Sequence, residues 1–265
     1  FKQKTAYEIM PSLVGSEMCI RDRNERASLI AKEKTIVIAD IHIGIEFEYR
    51  QQGINIGLQT NKLLERCIRL IEETKAEKMI ILGDVKHVIV AKSEEEKEMM
   101  RIERQQVRKF LKILHEHVDI WIIKGNHDGR LQSKYARILG SKGIKIGDVA
   151  LVHGHCWADE KIMDSKFIIL GHIHPFVRIT TRVGYSYMQP CWIKGGLIKE
   201  KLLKKYGKAN HKMKFVIMPA FNPLCGGMAV NREKINEGMM KILDMESANV
   251  YLLNGVNLGR IKNLR

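Results

Sequence analysis

The stretch that decides the fold is residues 35–42, TIVIADIH, where an apolar, β-branched run stops at Asp40 and His42. Such a run has the length and composition of a buried strand. Four further apolar runs stop at polar residues in the same way, and they comprise residues 79–82, 120–123, 149–152 and 167–170. Helical patterns alternate with these runs, and the alternation predicts an α/β fold.

Two segments between the runs carry helix signals. Leu64, Cys67, Ile68 and Ile71 have the spacing i, i+3, i+4, i+7, which places them on one helix face. Further on, residues 93 and 96 are serine and glutamate at the spacing of a capping box. An apolar stripe follows them at Val107, Phe110, Leu111, Leu114 and Val118. We therefore predict two core-facing helices.

The composition narrows the class of protein. Of 265 residues, 45% are hydrophobic, which excludes an intrinsically disordered chain. The net charge of +15 favours acidic partners such as nucleotides or nucleic acid. The five cysteines form no CxxC pair, which argues against a disulfide framework or a thiolate zinc site. No apolar run approaches the roughly 18 residues of a membrane span, so we predict a cytoplasmic protein with no membrane partner.

The first 23 residues match translated sequencing-adapter DNA. Residues 2–8, KQKTAYE, equal the translation of a flow-cell primer, and residues 13–22, LVGSEMCIRD, equal that of a transposon adapter. The alternative is a native N-terminal extension. Because adapter-derived sequence carries no fold information, we expect residues 1–23 not to be native and residues 24–265 to form a single domain.

A lysine-rich segment, residues 199–214, holds seven lysines and a single opposing acid, Glu200. Such a run is either a solvated surface or a strip that binds phosphate backbones. The segment has no ladder of aromatic residues, since Tyr206 stands alone. Both interpretations stay open.

Seven of the ten histidines follow directly after the five apolar runs. Because the carboxyl ends of strands share one edge of an open α/β sheet, side chains just past them converge. The convergent set contains carboxylate, amide and imidazole groups: Asp40, His42, Asp84, Asn126, His127, His153, His172 and His174. Such donors suit Mn, Fe, Zn or Ni, and eight groups are too many for one ion with open positions. Two ions that share a bridging carboxylate would use them.

The motifs and their order resemble those of the calcineurin-like metallophosphoesterases: Asp40-x-His42, Gly83-Asp84, Gly125-Asn126-His127-Asp128, His153-Gly154 and Gly171-His172-x-His174. A narrower similarity, to SbcD-related phosphoesterases of archaea, is carried by residues 83–87, GDVKH, and residues 219–227, PAFNPLCGG. The resemblance covers residues 24–265. It implies an α/β fold in which a two-sheet β-sandwich is flanked by helices in α/β/β/α layers.

The resemblance also implies the metal ligands. Asp40, His42 and His174 would hold one divalent ion. Asn126, His153 and His172 would hold the other, and Asp84 would bridge the two. His155 is an alternative to His153, because both follow the same strand. Manganese is the expected metal, with iron, nickel and zinc as alternatives.

The implied reaction is in-line attack on phosphorus by a hydroxide that bridges the two ions. His127 would protonate the leaving alkoxide, with its tautomer set by Asp128. His87 either contacts the substrate phosphate or makes a plain hydrogen bond.

We therefore expect a phosphoesterase that cleaves phosphodiesters of nucleotides or nucleic acid. A small-molecule phosphatase or nucleotide phosphodiesterase is the first alternative. A non-catalytic nucleic-acid-binding relative is the second, although no ligand of the motifs is missing. The oligomeric state is left open.

Overall fold

The computed structural model describes residues 13–16, 18–19, 25–88 and 90–264. Most of residues 1–23, for which the sequence predicts an adapter origin, therefore lie outside the described residues.

The first sheet contains seven strands that are hydrogen-bonded in chain order. They are β1 (Leu13–Ser16), β2 (Met18–Cys19), β3 (Ala27–Ile30), β4 (Thr35–Ala39), β5 (Lys78–Leu82), β6 (Asp119–Ile123) and β7 (Arg137–Leu139). The strands from β4 to β7 are parallel, whereas β1 to β4 pair antiparallel. The carboxyl ends of β4, β5 and β6 therefore lie along one edge.

The second sheet has nine strands in the order β14-β11-β12-β13-β10-β9-β8, with β15 beside β12 and β16 beside β15. Their bounds are β8 (Ile144–Ile146), β9 (Val149–Val152), β10 (Phe167–Leu170), β11 (Pro175–Thr180), β12 (Ser186–Gly196), β13 (Lys214–Ile217), β14 (Met228–Ala229), β15 (Asn249–Leu252) and β16 (Asn257–Arg260). Strands β9, β10 and β13 are parallel, so their carboxyl ends also meet.

Within the described residues, four α-helices complete the fold: α1 (Glu46–Gln51), α2 (Thr60–Thr74), α3 (Glu94–His115) and α4 (Lys199–Tyr206). Short 3-10 helices lie at Ala31–Glu33, Glu160–Ile162, Gly238–Ile242 and Ile261–Asn263. The predicted capping box at the start of α3 is present, because the Glu96 amide donates to the Ser93 hydroxyl and the Ser93 amide donates to the Glu96 carboxylate. No helix in the described part of the chain is long and apolar enough to cross a membrane.

Alternation along the strands creates three apolar layers. In β4, Val37 and Ala39 pack between the two sheets, whereas Ile36 and Ile38 pack against α2 and α3. The residues of β10 alternate likewise, with Ile169 between the sheets and Ile168 in the outer layer beneath α4. This period of two follows from strand geometry. The predicted α/β/β/α sandwich is thus confirmed.

Candidate metal centre

The backbone turns sharply at the ends of the strands that carry the predicted ligands. Among the described residues, seven non-glycine residues have a positive φ, and five of these are predicted ligands. These five are Asp40 (55°), His42 (44°), Asp84 (49°), His172 (77°) and His174 (42°). A left-handed conformation costs about 1–3 kcal/mol at such residues and is concentrated at functional sites. The left-handed backbone conformations are therefore concentrated where the ligand loops leave the strands.

Close backbone contacts bring three of the motifs together. A Cβ atom at Gly125 would lie 2.1 Å from Asp84 Oδ1, and one at Gly83 would lie 2.5 Å from His153 Nδ1. Only glycine fits at these two positions. Because these glycines have no side chain, the loops that carry Asp84, Gly125 and His153 can lie in direct contact.

One half of the cluster is formed by Asp40, His42 and His174. His174 Nε2 lies 3.6 Å from Asp40 Oδ1, and His42 Nε2 lies 3.6 Å from Asp84 Oδ2. Asp40 Oδ1, His42 Nε2 and His174 Nε2 are all buried without a hydrogen-bond partner in the described part of the chain. Buried polar atoms without partners are costly. Their convergence therefore fits a bound cation.

The other half of the cluster surrounds His153, which is fully buried. His153 Nε2 lies 3.3 Å from Asp84 Oδ2 and 3.2 Å from Asn126 Oδ1. The donor atoms of Asp84, His153 and His172 lie within 4.8 Å of one another. His155 belongs to none of the donor groups found among the described residues, although its ring centroid lies 5.1 Å from that of His153.

Asp84 belongs to both halves. Its carboxylate lies within 4.8 Å of donor atoms of Asp40 and His42 on one side, and of His153 and His172 on the other. The hard carboxylate oxygens and the imidazole nitrogens form a donor set that suits divalent first-row metals. The residues present therefore fit two ions that share one carboxylate.

The two buried carboxylates dominate the electrostatics. Burial opposes protonation of His153, but its hydrogen bond to Asp84 and the charges of Asp40 and Asp84 raise its pKa to about 9. Burial lowers the pKa of His42 to about 3, so its imidazole is neutral. For Asp84, burial is outweighed by His153, and the pKa falls below its usual range. The carboxylates thus favour a positive charge in the cluster, which the proton on His153 supplies here and which a bound cation would replace.

Carbonyl oxygens orient two of the ligand rings. His153 Nδ1 lies 2.8 Å from the carbonyl oxygen of Leu82, and His174 Nδ1 lies 2.9 Å from that of Gly226. In each ring Nδ1 donates to the carbonyl, which leaves Nε2 as the lone-pair donor facing the cluster. A carboxylate, Glu237, lies 2.9 Å from His172 Nε2. No signal in the sequence pointed to Glu237, because it lies outside the five motifs.

The structure places His127 and His87 beside the cluster. The His127 ring hydrogen-bonds through Nδ1 to the carbonyl oxygen of His87, and its Nε2 lies 3.9 Å from Asp84 Oδ2. The His87 ring lies between two groups, with Nδ1 3.3 Å from His42 Nδ1 and Nε2 3.0 Å from Glu48 Oε2. Both rings can therefore face a substrate held at the cluster.

The expected role of Asp128 is corrected. Its buried carboxylate accepts hydrogen bonds from the backbone amides of Val85 (3.0 Å) and Gly125 (3.1 Å). In the described structure Asp128 therefore ties two ligand loops together, and the carbonyl oxygen of His87 sets the His127 tautomer. A carboxylate with buried amide donors within reach satisfies those donors before it contacts a neighbouring ring.

The segment at residues 219–227 supports the first half of the cluster. The Phe221 amide donates to the carbonyl oxygen of Ala39 (2.7 Å), and Asn222 Nδ2 donates to that of Ile41 (2.9 Å). Cys225 is buried, and its sulfur lies within 4.8 Å of donor atoms of His42 and His174. Cys225 belongs to residues 219–227, which carry part of the family resemblance, but the resemblance implied no role for its thiol.

The fold and the cluster together define a metal-dependent hydrolase of the metallophosphoesterase class. The family model of the calcineurin-like phosphoesterases matches residues 33–211, more than half of the chain. The chain belongs to this family and is a phosphoester hydrolase.

One solved structure shows the same fold, and a second is similar over a smaller share of the chain. The nuclease MPE of Pseudomonas putida is 21% identical, with a TM-score of 0.53, and the match covers 86% of this chain and 89% of that chain. The phosphoesterase YfcE of E. coli is 17% identical, with a TM-score of 0.30, over 56% of this chain and 73% of that chain. A comparison with curated proteins gave no match.

Proposed function

We propose that this chain hydrolyses phosphodiesters of nucleotides or nucleic acid with two divalent ions, of which manganese is the first candidate. The observation that carries the proposal is the position of Asp84 between two groups of donors, beside buried polar atoms that have no other partner. Two ions bound there would activate a water and neutralise charge on the phosphoryl group. Residues 83–87 and 219–227 support a place among the SbcD-related phosphoesterases.

The two halves of the cluster divide the proposed ligands. Asp40, His42 and His174 would hold one ion, and Asn126, His153 and His172 the other, as the family resemblance implies. His153 is preferred to His155 because its Nε2 faces Asp84 at 3.3 Å.

His127 is the proposed general acid. Its Nδ1 is held by the carbonyl oxygen of His87, so Nε2 is the atom that can carry a proton toward a leaving oxygen. His87 would contact a phosphate oxygen, because its ring lies beside His42 and is held by Glu48.

Diester cleavage is supported by the open space beside His127. A cavity of about 780 Å³ extends from Asn126 and His127 along α3. A monoester needs room on one side of phosphorus, whereas a diester needs room for a group on each side. The cavity supplies room for the second group.

A metal-reconstituted activity screen tests the proposal. It compares bis-p-nitrophenyl phosphate, p-nitrophenyl phosphate, cyclic nucleotides and oligonucleotides with Mn, Fe, Ni and Zn. We expect two ions per chain by elemental analysis and faster hydrolysis of the diesters. Preference for the monoester would favour a phosphatase, and binding of oligonucleotides without any hydrolysis would favour a non-catalytic relative.

A further inference from the structure

The cavity beside the metal centre lies between α3 and residues 129–135. Its volume is about 780 Å³, and its inner end is formed by Asn126 and His127. The cavity reaches the predicted catalytic group His127, whereas a neighbouring opening beside Lys124 and Gly140 does not. A substrate could therefore place one phosphate at the metal cluster and extend its next groups into the cavity.

The walls of this cavity are strongly basic. Six basic side chains line it: Lys86, Lys97, Arg104, Arg108, Arg130 and Lys134. The acid among the lining residues, Glu103, is fully buried and accepts hydrogen bonds from the amides of His87 (2.8 Å) and Val88 (2.6 Å). Its single charge offsets part of the positive charge of Lys86 and Arg104, and the six basic side chains still leave the walls with a net positive charge.

The basic side chains of α3 differ in whether they form ion pairs with acidic residues. Lys97 pairs with Glu94 (2.6 Å), and Arg101 pairs with Glu98 (2.6 Å). No ion pair within the described structure involves Arg104 or Arg108, and both are exposed. These two arginines are four residues apart, so they lie on one helix face about 6 Å apart along the axis.

The floor of the cavity is apolar. Val107, Leu111 and Leu131 are buried there, and the ring of Tyr135 is half-buried beside them. A floor of this kind accepts sugars and unpaired bases, which present apolar faces, whereas a paired duplex keeps its bases stacked inside. Basic walls over an apolar floor thus match an unpaired strand.

We propose that this basic cleft, lined by α3 and residues 129–135, binds a single-stranded nucleic acid next to the bond that is cleaved. The backbone phosphates would contact Arg104, Arg108 and Arg130, and the bases would lie against the floor. The proposal rests on the proposed function and names its substrate class as a polynucleotide strand.

The test measures binding of a labelled single-stranded phosphorothioate oligonucleotide, which resists hydrolysis, to the metal-loaded protein at several salt concentrations. In R104Q/R108Q we expect lower affinity and a slope of log K against log salt that is flatter by about 1.4, or 0.7 for each of two lost phosphate contacts. The metal content and the melting temperature of R104Q/R108Q should equal those of the wild type, since surface substitutions of this kind perturb a fold little.

K201Q/K204Q is the matched control, because it removes two exposed positive charges from α4. Its slope should equal that of the wild type. An unchanged slope in R104Q/R108Q, or an equal loss in K201Q/K204Q, overturns the inference. Equal affinity for a duplex also overturns it. If the wild type fails to hydrolyse bis-p-nitrophenyl phosphate, the proposed function fails, and the binding slopes still decide the cleft separately.

Discussion

The molecule has two basic regions, and they are built in opposite ways. The lysine-rich segment, residues 199–214, is continuous in sequence, with seven lysines. The basic cleft collects six basic side chains from residues 86–134, and it opens at His127. The difference shows that a high density of charged residues along the sequence does not predict which charged surface lies beside the catalytic site.

The lysine-rich segment has a structural task. Leu202 and Tyr206 of α4 pack into the outer apolar layer of the second sheet, and Lys205 lies over the Trp157 ring at 4.7 Å. The Tyr206 hydroxyl donates to the carbonyl oxygen of Ala158 (3.3 Å). The residues that line the basic cleft include none from this segment. The structure thus favours the interpretation that the lysine-rich segment is a solvated surface, with α4 covering the second sheet.

The largest expected effect tests whether all hydrolysis occurs at the cluster onto which the cleft opens. Asp84→Asn should lower turnover of every substrate by more than about 100-fold, because even residues behind the ligands typically cost 10- to 100-fold. Elemental analysis should show that both ions are weakened together, while oligonucleotide binding in the cleft persists. Two retained ions with full activity would remove Asp84 from the bridging position.

The second effect concerns the residue that joins the cleft to the cluster. His127→Ala should lower turnover of a nucleoside diester by about 10²- to 10⁴-fold, because no imidazole then protonates the leaving oxygen. The loss on bis-p-nitrophenyl phosphate should be smaller, since p-nitrophenolate leaves unprotonated. Steady-state kinetics on both substrates, with metal content measured, would decide. Equal losses on both would point to phosphate positioning.

The third effect tests how rigidly the cleft is attached to the cluster. Glu103→Ala removes the acceptor of two loop amides, which should cost about 1–3 kcal/mol. At roughly 2–4 °C per kcal/mol, thermal melting should show the loss. Glu98→Ala is the control on the same helix, because Glu98 is exposed and bonds to exposed Arg101. Equal melting temperatures for the two variants would contradict the role of Glu103.

The smallest effect concerns residues outside both regions. We propose that residues 1–23 are adapter-derived and that residues 24–265 form the domain. Deletion of residues 1–23 should therefore leave both binding and hydrolysis unchanged. The described part of this segment pairs with β3 through Met18 and Cys19, a contact that truncation would remove. A fall in melting temperature of more than a few degrees would show that the segment belongs to the fold.

The strand-end motifs could be predicted because their signals are local. Each ligand loop follows an apolar run, and parallel strands bring the ends of such runs to one edge. Asp40 and Asp84, far apart in sequence, meet in one cluster for this reason. Glu237 could not be predicted, because its contact with His172 spans 65 residues and no periodic pattern marks it. Cys225 lies in the quoted segment 219–227, but its position beside His42 and His174 depends on how that segment packs.

By itself, the sequence determined the α/β sandwich, the metallophosphoesterase family and the residues of the cluster, because strand periodicity and strand-end motifs are properties of short segments. Only the tertiary structure decided that Asp128 binds backbone amides, that His87 sets the His127 tautomer, and that scattered arginines line one cleft. Those contacts depend on how a helix and a loop pack onto the sheet. Packing is set by the whole core, and no local pattern encodes it.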